Sequence, residues 1–212
     1  MRETLYIRFD WAIKRLLRHK ADFVVVEGFL SSLLGYSVTI TDVLESESNR
    51  DAADDKANCV DVLVKDEKGV KILIEIQNEF ERDFFQRMLY GTSKLVTQYL
   101  TRGGEYGQIG KIYSVNIVYF SLGDGQDYVY RGRTDFRGIH THDTLKLSAR
   151  QRAVFLGEEA GDVFPEYFVL RVNDFDQAAV TPLDEWIRFL KTEEIPEGSK
   201  APGLAEARER LI

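Results

Sequence analysis

Residues 60–77 read Val60-Asp61-Val62-Leu63-Val64-Lys65-Asp66-Glu67-Lys68-Gly69-Val70-Lys71-Ile72-Leu73-Ile74-Glu75-Ile76-Gln77. Both ends of this segment are rich in β-branched and aliphatic residues, and Gly69 suits the left-handed position of a short hairpin loop. The pattern therefore predicts two antiparallel strands. A register in which Asp66 faces Val70 places Asp61 directly opposite Glu75.

The two faces of this predicted hairpin differ in character. One face carries only apolar residues and is expected to be core: Val60, Val62, Val64, Ile72, Ile74 and Ile76. The other face holds Asp61, Glu75 and Gln77. Two carboxylates whose Cβ atoms lie roughly 4.5–5.5 Å apart repel each other unless a cation or a proton lies between them, so one interpretation is a divalent-cation site. The alternative is a solvated polar face, because like charges are usually avoided at directly opposed positions.

Bulk composition narrows the class of protein. A chain of 212 residues with 44% hydrophobic and 30% charged residues is typical of a single soluble globular domain. Its single cysteine, Cys59, excludes an internal disulfide framework and suits a reducing cytoplasm. No segment approaches the ~18 consecutive apolar residues of a membrane span, so we expect no membrane partner.

Charge is distributed unevenly along the chain. The net charge of −7 argues against broad electrostatic attraction to DNA. Residues 1–20, however, hold six basic and two acidic side chains, whereas residues 42–55 are predominantly acidic. A basic patch beside an acidic pocket suits a metal-dependent phosphodiesterase, and an ordinary solvated surface produces the same pattern.

The predicted elements alternate between helices and strands. Helices are predicted at 11–18, 23–34, 83–102, 149–155, 183–190 and after Pro202, and strands at 37–44, 59–77 (the hairpin), 112–120, 127–130 and 168–172. The strand at 112–120 is strongly apolar and is expected to be central. The helix at 83–102 carries an apolar stripe formed by Phe85, Met88, Leu89, Leu95, Val96, Tyr99 and Leu100. This order predicts an α/β domain with a mixed central sheet flanked by helices.

Several segments, taken together, carry a specific resemblance. They are Leu44-Glu45-Ser46-Glu47-Ser48-Asn49, Asp54-Asp55-Lys56-Ala57-Asn58-Cys59-Val60-Asp61, Ile74-Glu75-Ile76-Gln77-Asn78, Arg87-Met88-Leu89-Tyr90-Gly91, Val115-Asn116-Ile117-Val118-Tyr119-Phe120 and Leu183-Asp184-Glu185-Trp186-Ile187. With these segments and its element order, the chain resembles the PD-(D/E)xK nuclease superfamily. Within that superfamily it is similar to the recombination-promoting nuclease (Rpn) family of transposase-like proteins.

The resemblance implies a restriction-endonuclease-like core and a metal site. The nuclease-like domain would span residues 1–200, and residues 201–212 would begin a C-terminal helix that is truncated relative to longer relatives. Asp61 and Glu75 would bind Mg²⁺, or Mn²⁺ as a substitute, with the backbone carbonyl of Ile76 as a further ligand. Such oxygen ligands are those that Mg²⁺ prefers, and the cation activates water for attack on phosphate.

Two departures from the family pattern bear on activity. Gln77 stands where the superfamily most often has Lys, so an uncharged amide would orient water or phosphate, and we expect a modest catalyst. Cys59 stands where the family commonly has Arg. The candidate additional acids are Glu27 and Glu47, for which a solvated or structural role is the alternative. The candidate contacts to DNA phosphate are Lys14, Arg15, Arg87 and Lys94, and for Arg87 the alternative is an ion pair on the helix surface.

The expected function is that of a Mg²⁺-dependent DNA endonuclease that promotes recombination, with DNA as partner and a homodimer as one arrangement. One alternative is a nuclease-fold module that binds DNA or protein without effective chemistry, and another is a nuclease directed at RNA. His140-Thr141-His142-Asp143 has metal-ligand chemistry but is interpreted mainly as a polar loop. Gly123-Asp124-Gly125 lacks the rest of a phosphate-binding motif and is interpreted as a turn.

Overall fold

The computed structural model describes residues 23–44, 59–99, 105–155 and 157–211. Its helices are α1 (Phe23–Leu34), α2 (Phe84–Tyr99), α3 (Ala149–Arg152), α4 (Pro182–Thr192) and α5 (Leu204–Leu211). Its strands are β1 (Ile40–Leu44), β2 (Cys59–Asp66), β3 (Lys71–Gln77), β4 (Ile112–Val118), β5 (Val129–Gly132) and β6 (Glu166–Arg171). Short 3₁₀ turns occupy Tyr106–Gln108, Ala160–Val163 and Val172–Asp174. The predicted helix at 11–18 lies outside the described residues.

The strands form one mixed sheet in the order β1-β2-β3-β4-β6-β5. The pairs β1–β2, β2–β3 and β5–β6 are antiparallel, whereas β3–β4 and β4–β6 are parallel. The predicted α/β class with a mixed central sheet is therefore confirmed. Strand β4 lies between β3 and β6, as its apolar sequence predicted.

The β2–β3 hairpin has the predicted register. The Asp66 backbone N–H donates to the Val70 carbonyl at 3.0 Å, and Gly69 adopts the left-handed conformation with φ of 79°. The Asp66 carboxylate also closes the loop, because its Oδ1 accepts the backbone N–H groups of Lys68 and Val70. This turn sets every pair along the hairpin and places Asp61 opposite Glu75.

Helices α1, α4 and α5 cover the apolar face of the hairpin. Val62, Val64, Ile72, Ile74 and Ile76 join the main core there, together with residues of these three helices. Trp186 of α4 is fully buried and donates its indole N–H to the Pro202 carbonyl at 3.1 Å. The chain at the start of α5 passes so close to α1 that a Cβ on Gly28 would meet the Pro202 oxygen at 2.1 Å. Both glycines at this crossing, Gly28 and Gly203, permit that approach.

Helix α2 covers the opposite face of the sheet, and its buried side matches the predicted stripe only in part. Among its residues with described side chains, Phe84, Met88, Thr92 and Leu95 are buried. Phe85 and Leu89, which the predicted stripe included, are 54% and 60% exposed, so that part of the prediction was wrong. Each lies next to a second apolar residue, and helical periodicity alone does not decide which member of such a pair turns inward. Packing decides it: the Phe84 ring meets Phe120 edge-on at 5.7 Å.

Two loop interpretations agree with the structure. His140 and His142 are exposed in a loop, and Gly123 lies in a turn with φ of 70°. In the part of the chain that the structure describes, no helix combines the length and the apolar character needed to cross a membrane.

Candidate active site

The centre of the candidate site is the end of β3 under α2. Glu75 is 4% exposed and Gln77 is 6% exposed. Leu73, two residues before Glu75, packs on this face with Leu63 and with Leu95 of α2. A solvated polar face is therefore excluded at Glu75 and Gln77. A buried carboxylate needs a compensating charge, because burial without one is strongly unfavourable.

Arg87 of α2 compensates the charge of Glu75. Its Nε donates to Glu75 Oε1, and its Nη1 donates to Glu81 Oε2 at 3.0 Å. The Arg87 side chain is 29% exposed, so one part of the guanidinium reaches solvent while another contacts the buried acid. The predicted phosphate-contact residue thus lies at the edge of the site and carries the positive charge that Gln77 lacks.

The strand end is fixed by hydrogen bonds around Gln77. Its side-chain Nε2 donates to the Glu79 carbonyl at 3.2 Å, and its backbone carbonyl accepts the N–H of Tyr119 at 3.0 Å. The Ile76 side chain points into the opposite core and is fully buried. Ile76 can therefore contribute to a site on the α2 face only through its backbone.

Strand β4 adds two polar residues that the sequence prediction missed. Ser114 and Asn116 are both 0% exposed, and parallel pairing aligns Asn116 with Glu75. Residues 112–120 were interpreted simply as an apolar strand. The available signal was the alternate spacing of Ser114 and Asn116, since residues two apart on a strand share one face.

The remaining candidate site residues do not all lie near Glu75. Asp61 is located by its strand register opposite Glu75. Glu27 lies on α1, which packs on the other face of the sheet, and its Oε1 accepts the backbone N–H of Ile40 at 2.7 Å. This contact ties α1 to the start of β1. Lys94 lies on α2 and is half-buried. Lys14, Arg15 and Glu47 lie outside the described residues.

The residues around Glu75 could bind a hard cation such as Mg²⁺ only if uncharged oxygen atoms serve as ligands beside the carboxylates. Among the side chains that the structure describes, no three His, Cys, Asp or Glu residues form a metal-binding group. The described oxygen atoms there are the Glu75 carboxylate and the amides of Gln77 and Asn116, and the register places Asp61 opposite Glu75. Carboxylate and amide oxygens are suitable ligands for Mg²⁺ or Mn²⁺.

A second buried acid, Glu166 of β6, lies on the opposite face of the sheet. Its Oε1 accepts Lys111 Nζ at 2.8 Å, and its Oε2 accepts Arg131 Nε and Nη2 at 2.8 and 2.6 Å. Burial raises the pKa of Glu166, but the hydrogen bonds and charges of Lys111 and Arg131 outweigh it, so the pKa lies below its usual value. Lys111 also donates to the carbonyls of Asp162 and Phe164. These contacts connect β6 to Lys111, to Arg131 of β5 and to the loop at 162–164, so Glu166 stabilises the fold.

The mixed sheet, the hairpin and the buried acid under a covering helix define a restriction-endonuclease-like α/β protein. Searches of the curated proteins and of the solved structures gave no match. The model of one family, described as PD-(D/E)XK nuclease family transposase, matches residues 7–206. The chain therefore belongs to that family, as the sequence resemblance predicted.

Proposed function

We propose that the protein is a divalent-cation-dependent DNA endonuclease that acts in recombination. Its cation would be Mg²⁺, with Mn²⁺ as a substitute, bound by Asp61, Glu75 and the Ile76 carbonyl. The observation that carries the proposal is the buried Glu75, held directly opposite a second acid by the hairpin register. A divalent cation would relieve the repulsion between two carboxylates at opposed positions. The membership of a nuclease family supports the same reaction class.

The cation would supply a water of lowered pKa and would neutralise charge on the scissile phosphate. The chain's own side chains would orient the reactants. Gln77 would position water or phosphate through its amide, because it cannot offer charge. Arg87 would offer its partly exposed guanidinium to a phosphate oxygen, and such charge-assisted hydrogen bonds are about twice as strong as neutral ones.

Substrate contact would be local, since the net charge of −7 does not favour broad attraction to DNA. We assign phosphate contacts to Arg87 and Lys94 on α2 and to Lys14 and Arg15. Neither a homodimer nor Glu47 as an additional acid is needed for this proposal. A cytoplasmic location suits the single cysteine.

One observation favours a second candidate function. Arg87 already pairs with Glu75, and Gln77 carries no charge, so the site resembles one whose chemistry has weakened. Such a protein would use the nuclease fold as a DNA-binding or protein-interaction module. It would bind DNA equally well with or without a divalent cation.

A plasmid-nicking assay separates the two candidates. Wild type, Glu75→Ala and the matched control Glu67→Ala would be incubated with supercoiled plasmid in Mg²⁺, Mn²⁺ or EDTA. Glu67 is an exposed acid in the hairpin loop, so its removal tests the loss of charge alone. We expect cation-dependent nicking by wild type and Glu67→Ala and none by folded Glu75→Ala. No nicking by wild type, with plasmid still shifted in a gel, would favour the binding module.

A further inference from the structure

The Asn116 side chain occupies an unusual place for an amide. It lies on the central strand β4, is 0% exposed and is aligned with Glu75 across the parallel β3–β4 pair. Aligned residues of neighbouring strands share a face, so the amide and the carboxylate are adjacent under α2. An apolar side chain would fill this core position without any need for a hydrogen-bond partner.

Hydrogen bonds fix the orientation of this amide. Its Nδ2 donates to the Ser114 carbonyl at 3.2 Å, to Ser114 Oγ at 2.9 Å and to the Phe168 carbonyl at 3.1 Å. Backbone carbonyl oxygens can only accept, so the amide atom that faces two of them must be the nitrogen. The amide is therefore not free to turn its N–H groups toward Glu75.

In this orientation the amide oxygen has no hydrogen-bond partner among the residues that the structure describes. Oδ1 of Asn116 is buried and accepts no hydrogen bond from any residue that the structure describes. A buried acceptor without a partner is energetically unfavourable, because it has lost its hydrogen bonds to water. A neutral oxygen left over beside a buried carboxylate is a position that a hard cation can occupy, because such cations bind carboxylate and amide oxygens together.

We propose that Asn116 Oδ1 is an additional oxygen ligand of the divalent cation at Glu75. The inference rests on the proposed function, since it deepens the same cation site. The charges already present at the site favour an uncharged ligand at this position. Asp61 and Glu75 together already balance the charge of a divalent cation. An amide raises the number of ligands without adding charge.

The test measures Mn²⁺ affinity by isothermal titration calorimetry, with thermal melts in EDTA to verify folding. Asn116→Ala removes the oxygen. We expect Mn²⁺ to bind about tenfold more weakly, a loss similar to that caused by mutating residues that support other metal sites. Asn116→Leu also removes the oxygen but fills the volume with apolar atoms, and should weaken Mn²⁺ binding to a similar extent. Ser114→Ala is the matched control, because it removes a partner of Nδ2 and leaves Oδ1 in place.

The outcomes separate this inference from the function on which it rests. Wild-type affinity in both Asn116 variants, with binding lost in Glu75→Ala, would overturn the role of Asn116 and leave the cation site intact. Absence of Mn²⁺ binding by wild type would overturn both. If Asn116→Ala fails to fold, Asn116→Leu decides alone, and wild-type Mn²⁺ affinity in that variant overturns the inference.

Discussion

Glu166 and Glu75 are buried acids on opposite faces of the sheet, and their surroundings differ. On one face, both oxygens of Glu166 accept hydrogen bonds from Lys111 and Arg131. On the other, Glu75 pairs with the partly exposed Arg87, has Asp61 opposite it in the strand register and adjoins the Asn116 amide oxygen, which accepts no hydrogen bond from any described residue. A buried acid whose oxygens both accept hydrogen bonds from cationic side chains stabilises the fold. A buried acid that adjoins further oxygen acceptors is suited to binding a cation. The difference distinguishes a structural acid from a candidate catalytic one.

The largest expected effect is on cleavage by Glu75→Gln. Removing a carboxylate ligand should lower the plasmid-nicking rate at least about a thousandfold, equivalent to about 4 kcal/mol, because the cation supplies several kcal/mol of transition-state stabilisation. Stability should change by less than about 1 kcal/mol, since the partner Arg87 keeps Glu81 and contact with solvent. Rates would be measured at saturating Mg²⁺ and stability by urea unfolding. A rate within threefold of wild type would contradict the assignment of Glu75 as a ligand.

The corresponding change on the other face is Glu166→Gln, which should lower the stability of the fold and leave the rate of DNA cleavage unchanged. Loss of this charge leaves the nearly buried Lys111 without its counter-ion. Breaking a buried pair in this way costs about 3 kcal/mol. Urea unfolding should show the loss, while the nicking rate per folded molecule stays near that of wild type. A variant as stable as wild type would show that the two buried acids do not differ as described.

The depressed pKa of Glu166 gives this contribution a definite pH dependence. A carboxyl group whose folded pKa is lowered stabilises the fold above its unfolded pKa of about 4.3, and the contribution disappears as pH falls through the folded value. The stability difference between wild type and Glu166→Gln should therefore be constant near neutrality and shrink below about pH 4.3. Thermal melts from pH 7 to pH 3 measure it. A difference that grows toward acid pH would mean that the pKa is raised.

The sequence predicts the hairpin in detail because its determinants are local. The loop glycine, the Asp66 carboxylate and the alternation of apolar residues all lie within one short segment. Once the loop is set, the opposition of Asp61 and Glu75 follows from the two-residue period of a strand. The main helices and the central position of β4 follow from patterns of the same kind.

The remainder of the site depends on tertiary packing that no local pattern contains. The rotation of α2 is set by Phe84 against Phe120, and it brings Arg87 onto Glu75. The sequence suggested either a phosphate contact or a helix-surface ion pair for Arg87, but did not identify the buried Glu75 as a partner. Asn116 was missed because a polar residue in an apolar strand becomes informative only when its neighbours are known.

Arg87→Gln should have a smaller effect on cleavage than Glu75→Gln. It tests most directly how the charge of Glu75 is compensated. If Arg87 and a divalent cation compete for the same carboxylate, loss of the guanidinium should raise Mn²⁺ affinity about fivefold, a modest change because the pair is partly exposed. Cleavage should nevertheless fall about tenfold, because a charged contact to phosphate is lost. Calorimetry and nicking rates give the two values, with exposed Arg82→Gln as the matched control.

The opposite change in affinity would be equally informative. Weaker Mn²⁺ binding by Arg87→Gln would show that Arg87 holds Glu75 in the geometry that binds the cation, so that guanidinium and cation act together on different oxygens. Glu75 has two carboxylate oxygens, and Arg87 Nε donates to Oε1. The direction of the affinity change therefore decides whether the ion pair is exchanged for the cation or persists beside it.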